Sequence, residues 1–129
     1  MRDVEPLLRP NSVAVIGASA TRQTQGNGVI RNLRQVGYAG RIIPVHPTAS
    51  VIDGLQAVSA IDRLPAGIDT AVVAIPAPAV AGALAELQQA GVRSAMVFSN
   101  GFPAAAEAAY RALAATSPMA IHGPNCMGL

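Results

Sequence analysis

With 129 residues, the chain is the size of one domain, and its 51% hydrophobic and 12% charged residues exclude a disordered polypeptide. The net charge of +2 comes from nine scattered arginines and no lysine, with only 3% aromatic residues, so the clustered, stacking-rich surface of a nucleic-acid binder is missing. No stretch of about 18 uninterrupted apolar residues suits a membrane span, Met1–Arg9 lacks the apolar run of a secretory signal, and the lone Cys126 permits no intrachain disulfide, which fits a reducing, cytoplasmic setting.

The first predicted strand is Ser12–Gly17, a β-branched run that ends in glycine as buried parallel strands often do. The helix after it places Val29, Ile30, Leu33 and Val36 on one face, turns Arg31, Arg34 and Gln35 outward, and stops at Gly37 or Gly40. Arg41–Val45 reads as a second strand, and Pro44 argues against an interior, fully paired position for it. Residues 46–68 are the least regular: Val51–Leu55 suits a turn or short strand, and Ser59 is placed to cap a helical turn over Ser59–Leu64.

Asp69–Ile75 is the clearest strand, broken by Pro76-Ala77-Pro78, with Pro78 suited to the first turn of the next helix. In that helix Val80, Leu84, Leu87 and Gly91 share a face, while Glu86, Gln88 and Gln89 face water. Ser94–Phe98 is another buried strand and 99–103 a loop. A helix over 104–115 sets Glu107 four residues before Arg111, the favoured order for a surface pair. Met119–His122 reads as a short final strand, leading into Gly123–Gly128.

Strands alternating with helices across short connections imply right-handed crossovers and a mainly parallel sheet: a Rossmann-like, doubly wound α/β domain. Ligands of such sheets bind at the carboxyl ends of the strands. The informative loops are therefore 17–28, 46–49, 75–78, 99–103 and 123–128, which is where the unusual residues lie. In the first loop Gly17 lets the backbone turn towards a phosphate, Ser19, Thr21 and a helix start near Asn27 or Gly28 supply donors, and Arg22 adds a charged fork.

Two common nucleotide motifs fail here. The G-x-G-x-x-G fingerprint of dinucleotide sites is broken at Ser19, and the acidic residue that holds the ribose at the end of the second strand is replaced by His46. The P-loop pattern needs a lysine that the chain does not have. Hydride transfer and ordinary nucleotide hydrolysis are both disfavoured.

The segment Leu8–Ser19 resembles the start of the CoA-binding domain of NDP-forming acyl-CoA synthetases, which are similar to the succinyl-CoA synthetase α subunit. The likeness continues in order through Ile43–Pro47, Ala74–Pro78, Ser99–Phe102 and Gly123–Gly128, so it covers essentially the whole chain. The resemblance implies that Gly17, Ser19, Ala20 and Thr21 wrap the nucleotide and diphosphate end of coenzyme A, or of an acyl-CoA, beside the charged fork of Arg22. It implies that Pro47 and Thr48 flank the adenosine, that Ile75, Pro76, Ala77 and Pro78 line the cofactor, that Ser99 and Asn100 bracket the pantetheine, and that Asn125 and Cys126 lie near the thiol.

The chain departs from that pattern where the family often carries a lysine after Val-x-Pro: here stand Thr48 and Ala49, and His46 replaces a frequent asparagine. The loss would weaken affinity unless Arg22 or Arg41 substitutes. His46 reads as a loop histidine and His122 as a packing residue; Asp69 is a strand-entry residue, and Asp53, Asp62, Glu86 and Glu107 are surface charges. No spacing suggests a metal site.

The expectation is a CoA-binding domain over residues 1–129, excised from a longer multi-domain synthetase whose other domains or subunits carry the phosphohistidine and the nucleotide. It would bind CoA without being catalytically complete, and would contact neither nucleic acid nor membrane. The competing readings are a stand-alone or regulatory CoA-binding protein, including a fusion to an acetyltransferase, and a divergent NAD-binding oxidoreductase domain.

Overall fold

A computed structural model of the chain describes residues 5–99 and 101–123. The elements run α1 (Glu5–Leu8), β1 (Ser12–Ile16), α2 (Gln25–Gln35), β2 (Arg41–Val45), β3 (Val51–Ile52), β4 (Leu55–Gln56), a 3-10 turn (Ile61–Arg63), β5 (Thr70–Val73), α3 (Ala77–Gln89), β6 (Ser94–Val97), α4 (Ala104–Thr116) and β7 (Ala120–His122). Five strands form one parallel sheet in the order β2-β1-β5-β6-β7. The chain leaves β1 outward to β2, then returns past β1 to build the other half from β5. Strand order therefore reverses between β1 and β5.

Period-two alternation sends successive strand residues to opposite faces, and both faces are covered. Ile16, Val73 and Val97 pack with Val80, Leu84 and Leu87 of α3 and Tyr110 of α4. On the other face Val13, Val15 and Val72 pack with Ile30 of α2 and Ile52 of β3. The doubly wound α/β expectation describes this layering. Truncating Leu84 or Leu87, both fully buried, would cost about 2–5 kcal/mol.

The helix ends follow glycine geometry and correct two sequence expectations. Gly37 adopts φ +76° after α2, its N–H bonding Arg34 O while Tyr38 N–H bonds Leu33 O. This paired closure ends the helix and swings Val36, expected on the inner face, out to 80% exposure. Gly91 repeats the device after α3 at φ +81°, its N–H bonding Gln88 O and Val92 N–H bonding Leu87 O. Gly91 therefore lies past the helix and does not join the Val80–Leu84–Leu87 face. Ser59 is no cap: the 3-10 turn starts from Ala60, with no side-chain bond.

The irregular stretch contains a tight hairpin, β3–β4, turning at Asp53 (φ 50°) and Gly54 (φ 78°). Two consecutive positive φ values make a type I′ turn, for which Asp-Gly is a favoured pair. Pro44 sits as its ring demands, on a sheet-edge strand, where its carbonyl accepts from Val58 N–H at 3.0 Å. At the strands' amino ends Asp69 ties the layers together. Its carboxylate accepts from Asn11 N–H (2.7 Å) and Arg93 (3.1 Å), and its own N–H donates to Ser12 Oγ (2.9 Å). Tyr38 donates to Pro10 O at 2.9 Å nearby, and burial, with the Asp69 charge adding to it, pushes its phenol above the usual value.

Candidate functional site

At the carboxyl ends of β1 and β5, where the strand order reverses, lies an open cleft of about 600 Å³. Open parallel sheets place their ligands at this switch point, and the volume falls in the usual range for ligand pockets. One wall is the loop from Gly17 to Gln25; the other is Ala74–Ala77 after β5, with Phe98 and Ser99 after β6 and His46 after β2 closing the ends.

The first loop is shaped by close packing. Gly17 adopts φ +115°, and a Cβ there would stand 2.1 Å from the Ala74 carbonyl oxygen. Only glycine lets the β1 loop lie against the β5 loop in this way. Gly26, in the first turn of α2, is equally confined, because a Cβ would come within 2.7 Å of Ala18 N. It performs the helix-to-strand packing that the third glycine of a dinucleotide fingerprint performs.

Asn27 holds the loop's shape from inside. It is fully buried; its Oδ1 accepts from the N–H groups of Ser19 (2.9 Å) and Thr24 (3.2 Å), and its Nδ2 donates to Ser19 O (2.9 Å) and Asp53 Oδ2 (3.0 Å). Thr24 caps α2, accepting from Asn27 N–H, and its hydroxyl has two acceptors at 2.7 Å, Gly17 O and Asn27 Oδ1. The helix thus starts at Gln25, two to three residues earlier than Asn27 or Gly28, and Asn27 serves the fold and not a ligand. The N–H groups of Gln25 and Gly26, too early in the helix for internal partners, remain as its anion-attracting end. Asp53, expected to be a plain surface charge, anchors the hairpin to this loop.

The rest of the cleft is built of backbone and small groups. Pro76 precedes α3 without a side-chain capping bond and Pro78 lies in its first turn, so a second helix amino end opens on the cleft at Ala77. Ser99 is buried and its hydroxyl donates to Ile75 O, which joins the β5 and β6 loops. His46 Nδ1 accepts from the backbone N–H groups of Thr48 (3.2 Å) and Ala49 (2.9 Å), folding the 46–49 loop around its own ring. Among the described residues, no carboxylate lines the cleft and Arg22 is its one arginine. Two positive helix ends and a guanidinium make an electropositive cleft suited to an anion.

Of the residues singled out from sequence, Gly17, Ser19, Arg22, Ile75, Pro76, Ala77 and Ser99 share the cleft wall. Ala20 and Thr21 are exposed on the same loop, with Thr21 N–H donating to Ser19 Oγ at 3.2 Å, and Pro47, Thr48 and Pro78 are exposed beside the cleft without lining it. Asn100, Asn125 and Cys126 lie outside the described residues. Arg41 begins β2, at the amino end of the sheet, which removes it as a substitute for the absent lysine and leaves Arg22. His46, Phe98, Gln23 and Gln25 complete the wall; of these His46 was legible by its place after the second strand, whereas Phe98 looks like any core residue. No group of three or more metal-ligating side chains occurs among the described residues.

A doubly wound parallel sheet with an electropositive, glycine-walled cleft at its switch point defines a nucleotide-type binding domain. Residues 11–129 match the family described as the CoA binding domain, and the chain belongs to that family. It is 40% identical to a trans-feruloyl-CoA synthase from an unidentified prokaryote, over 98% of this chain and 19% of the relative. It is 38% identical to acetate–CoA ligase (ADP-forming) II of Archaeoglobus fulgidus, over 98% of this chain and 20% of the relative. The dinucleotide-forming acetyl-coenzyme A synthetase 1 of Candidatus Korarchaeum cryptofilum, solved with phosphate and ADP, superimposes with a TM-score of 0.89 at 32% identity, covering 99% of this chain and 28% of that one. The chain spans about a fifth of the length of these curated relatives. No helix among the described residues is long and apolar enough to cross a membrane.

Proposed function

We propose that this chain binds coenzyme A in the cleft between the β1 and β5 loops and, as a module of an NDP-forming acyl-CoA synthetase, orients the thiol for acyl transfer. The observation that carries the reading is the cleft, lined by no carboxylate among the described residues, on which the amino ends of α2 and α3 and Arg22 converge. A polyanionic, extended cofactor fits it. The relatives named as ADP-forming CoA ligases support the wider assignment.

In this reading the diphosphate rests on Gly17–Arg22 and the first turn of α2, with Ser19, Ala20 and Thr21 contributing backbone and hydroxyl donors. Pro47 and Thr48 flank the adenosine. Ile75, Pro76, Ala77 and Pro78 guide the pantetheine, which Ser99 and Asn100 bracket, and Asn125 and Cys126 attend the thiol end. In such a synthetase the thiol sulfur attacks the carbonyl carbon of an acyl phosphate, the C–O bond to phosphate breaks, and the thiol proton is released. The part of this chain is to fix the thiol's position, which lowers the entropic cost of the encounter; further domains or subunits supply the acyl phosphate.

A thermal-shift panel of CoA, acetyl-CoA, dephospho-CoA, NAD, NADP and ATP tests it. Ligand at 100 times its Kd stabilises by about 2.7 kcal/mol, so CoA and acetyl-CoA raise the Tm while NAD and ATP leave it unchanged. No shift with millimolar CoA, or a shift with NAD alone, overturns the reading.

A further inference from the structure

We infer that the β3–β4 hairpin is the outer support of the CoA loop, with Asp53 as a positioning residue: acting through Asn27, it sets the shape of the loop and so the affinity for CoA, and bound CoA in turn steadies the hairpin. The inference rests on the CoA reading. It concerns an element that does not line the cleft.

It begins with the Asn27 amide, whose two ends differ in what they can bond. Oδ1 faces two donors, the N–H groups of Ser19 (2.9 Å) and Thr24 (3.2 Å), and Nδ2 faces two acceptors, Ser19 O (2.9 Å) and Asp53 Oδ2 (3.0 Å). These partners fix the amide in one of its two orientations. Three of the four belong to the loop that the amide shapes. Asp53 lies outside it, 26 residues on, and its bond is of the stronger, charge-assisted kind.

The hairpin holds that carboxylate in place from the core. Ile52 is 1% exposed and packs with Val13, Val15, Ile30 and Val72. Directly after it the chain turns at Asp53 (φ 50°) and Gly54 (φ 78°), a left-handed pair in which Asp is better tolerated than most residues with a side chain. Among the described residues the hydrogen-bond partner of Asp53 is Asn27, and no ion pair joins Asp53 to Arg31 or Arg34, which share a groove with it. The carboxylate is therefore committed to the loop.

Charge and support act here with opposite signs. A negative charge behind an anion-binding cleft opposes the ligand, so its removal alone would tighten CoA binding. Loss of the support would loosen it. Calorimetric titration of the 129-residue chain with CoA, comparing wild type, Asp53→Gly and Asp53→Asn, separates the two. Gly-Gly and Asn-Gly are both favoured pairs for this turn, so neither variant breaks it. Glycine removes acceptor and charge together, whereas asparagine removes the charge and keeps an accepting oxygen.

Asp53→Gly should weaken CoA binding about three- to tenfold, the worth of one bond to a charged group that water partly screens, and Asp53→Asn should stay within about twofold of wild type. Hydrogen exchange gives the second readout. By linkage, CoA should slow exchange of the hairpin amides, including that of Ala57, which donates to Ser50 O at 2.9 Å, in wild type and Asp53→Asn; in Asp53→Gly the protection should be at least about threefold smaller. A merely structural role would lower the stability of the free chain and leave both readouts unchanged.

An Asp53→Gly chain that binds CoA as well as wild type, or better, refutes the inference and leaves the CoA reading standing. Equal losses in the two variants also refute it, since the charge and not the bond would then matter. Hairpin exchange that does not respond to CoA in the wild type overturns the coupling. A wild-type chain that binds no CoA overturns the CoA reading and the inference with it.

Discussion

Replacing Asn27 by alanine should loosen the whole first loop, and the size of the loss follows from its contacts. The side chain is fully buried and its bonds join Ser19, Thr24 and Asp53, whereas the loop's other internal bonds run from Thr21 to Ser19 and from Thr24 to Gly17. In Asn27→Ala the N–H groups of Ser19 and Thr24 lose their acceptor and the Thr24 hydroxyl keeps only Gly17 O. The Ser19 carbonyl and the Asp53 carboxylate lie closer to solvent and can turn to water. Counting about 1 kcal/mol for each of the less accessible groups gives a destabilisation of roughly 2–3 kcal/mol. At roughly 2 cal/mol/K per residue, this chain should lose about 4 °C of Tm per kcal/mol, or about 8–12 °C in all. Urea unfolding followed by circular dichroism measures the loss directly, and calorimetry well below the Tm should show CoA affinity falling at least tenfold as Ser19 is released. A loss under about 0.5 kcal/mol, or unchanged CoA affinity in a folded variant, would refute the claim that Asn27 sets the loop.

Four further outcomes follow from the same geometry. Thr24→Ala should cost about 1 kcal/mol as a lost cap, and less than that on top of Asn27→Ala, since the two share bonds; denaturation of the double variant measures the coupling. Gly17→Ala forces a Cβ onto the Ala74 carbonyl at a positive φ, so urea unfolding should show a loss of about 2–4 kcal/mol. Arg111→Ala breaks only an exposed pair at 2.8 Å with Glu107 and should stay within about 0.5 kcal/mol in the same assay. Tyr38 has a raised folded-state pKa, so the stability its neutral phenol supplies is fully present below the unfolded value of 10.0 and is lost as pH rises through the higher folded value; Tyr38→Phe should flatten the decline of stability measured above that pH.

What could be read from the residues, and what could not, divides by the range of the interactions. Strands such as Ser12–Ile16 and Thr70–Val73 are buried on both faces, so their continuous apolar runs announced a parallel sheet and, with it, the end of the sheet that carries the cleft. Gly37 and Gly91 act locally, yet their effect depends on which residue the turn throws outward. Val36 has the right period and the wrong side of the helix end. Asp53-Gly54 was a strong hairpin signal inside a stretch that otherwise looked irregular.

The site itself was legible as a set of loops and less so as a set of roles. The spacing of Thr24 and Asn27 is that of a capping box, with asparagine in place of the usual Glu or Gln, but the bonds from Asn27 to Ser19 and Asp53 span 8 and 26 residues and leave no periodic trace. Gly17 showed itself as a turn, though its glycine is demanded by contact with Ala74, more than fifty positions on. His46 was legible as a loop histidine after the second strand, but its part in folding that loop depends on two amides that only the fold brings to its ring. Arg22 and Arg41 were indistinguishable as charges until the sheet set them at opposite ends.

The central claim is that coenzyme A occupies the cleft between the β1 and β5 loops, and amide chemical-shift mapping during a CoA titration tests it most directly. The account predicts perturbed resonances concentrated at Gly17–Gly26, His46–Ala49, Ala74–Ala77 and Phe98–Ser99, with Asp69, Arg93 and the rest of the opposite end of the sheet unaffected. Perturbations centred instead on the groove of Gln88, Val92 and Met119 at that opposite end, or none at saturating CoA, would contradict it.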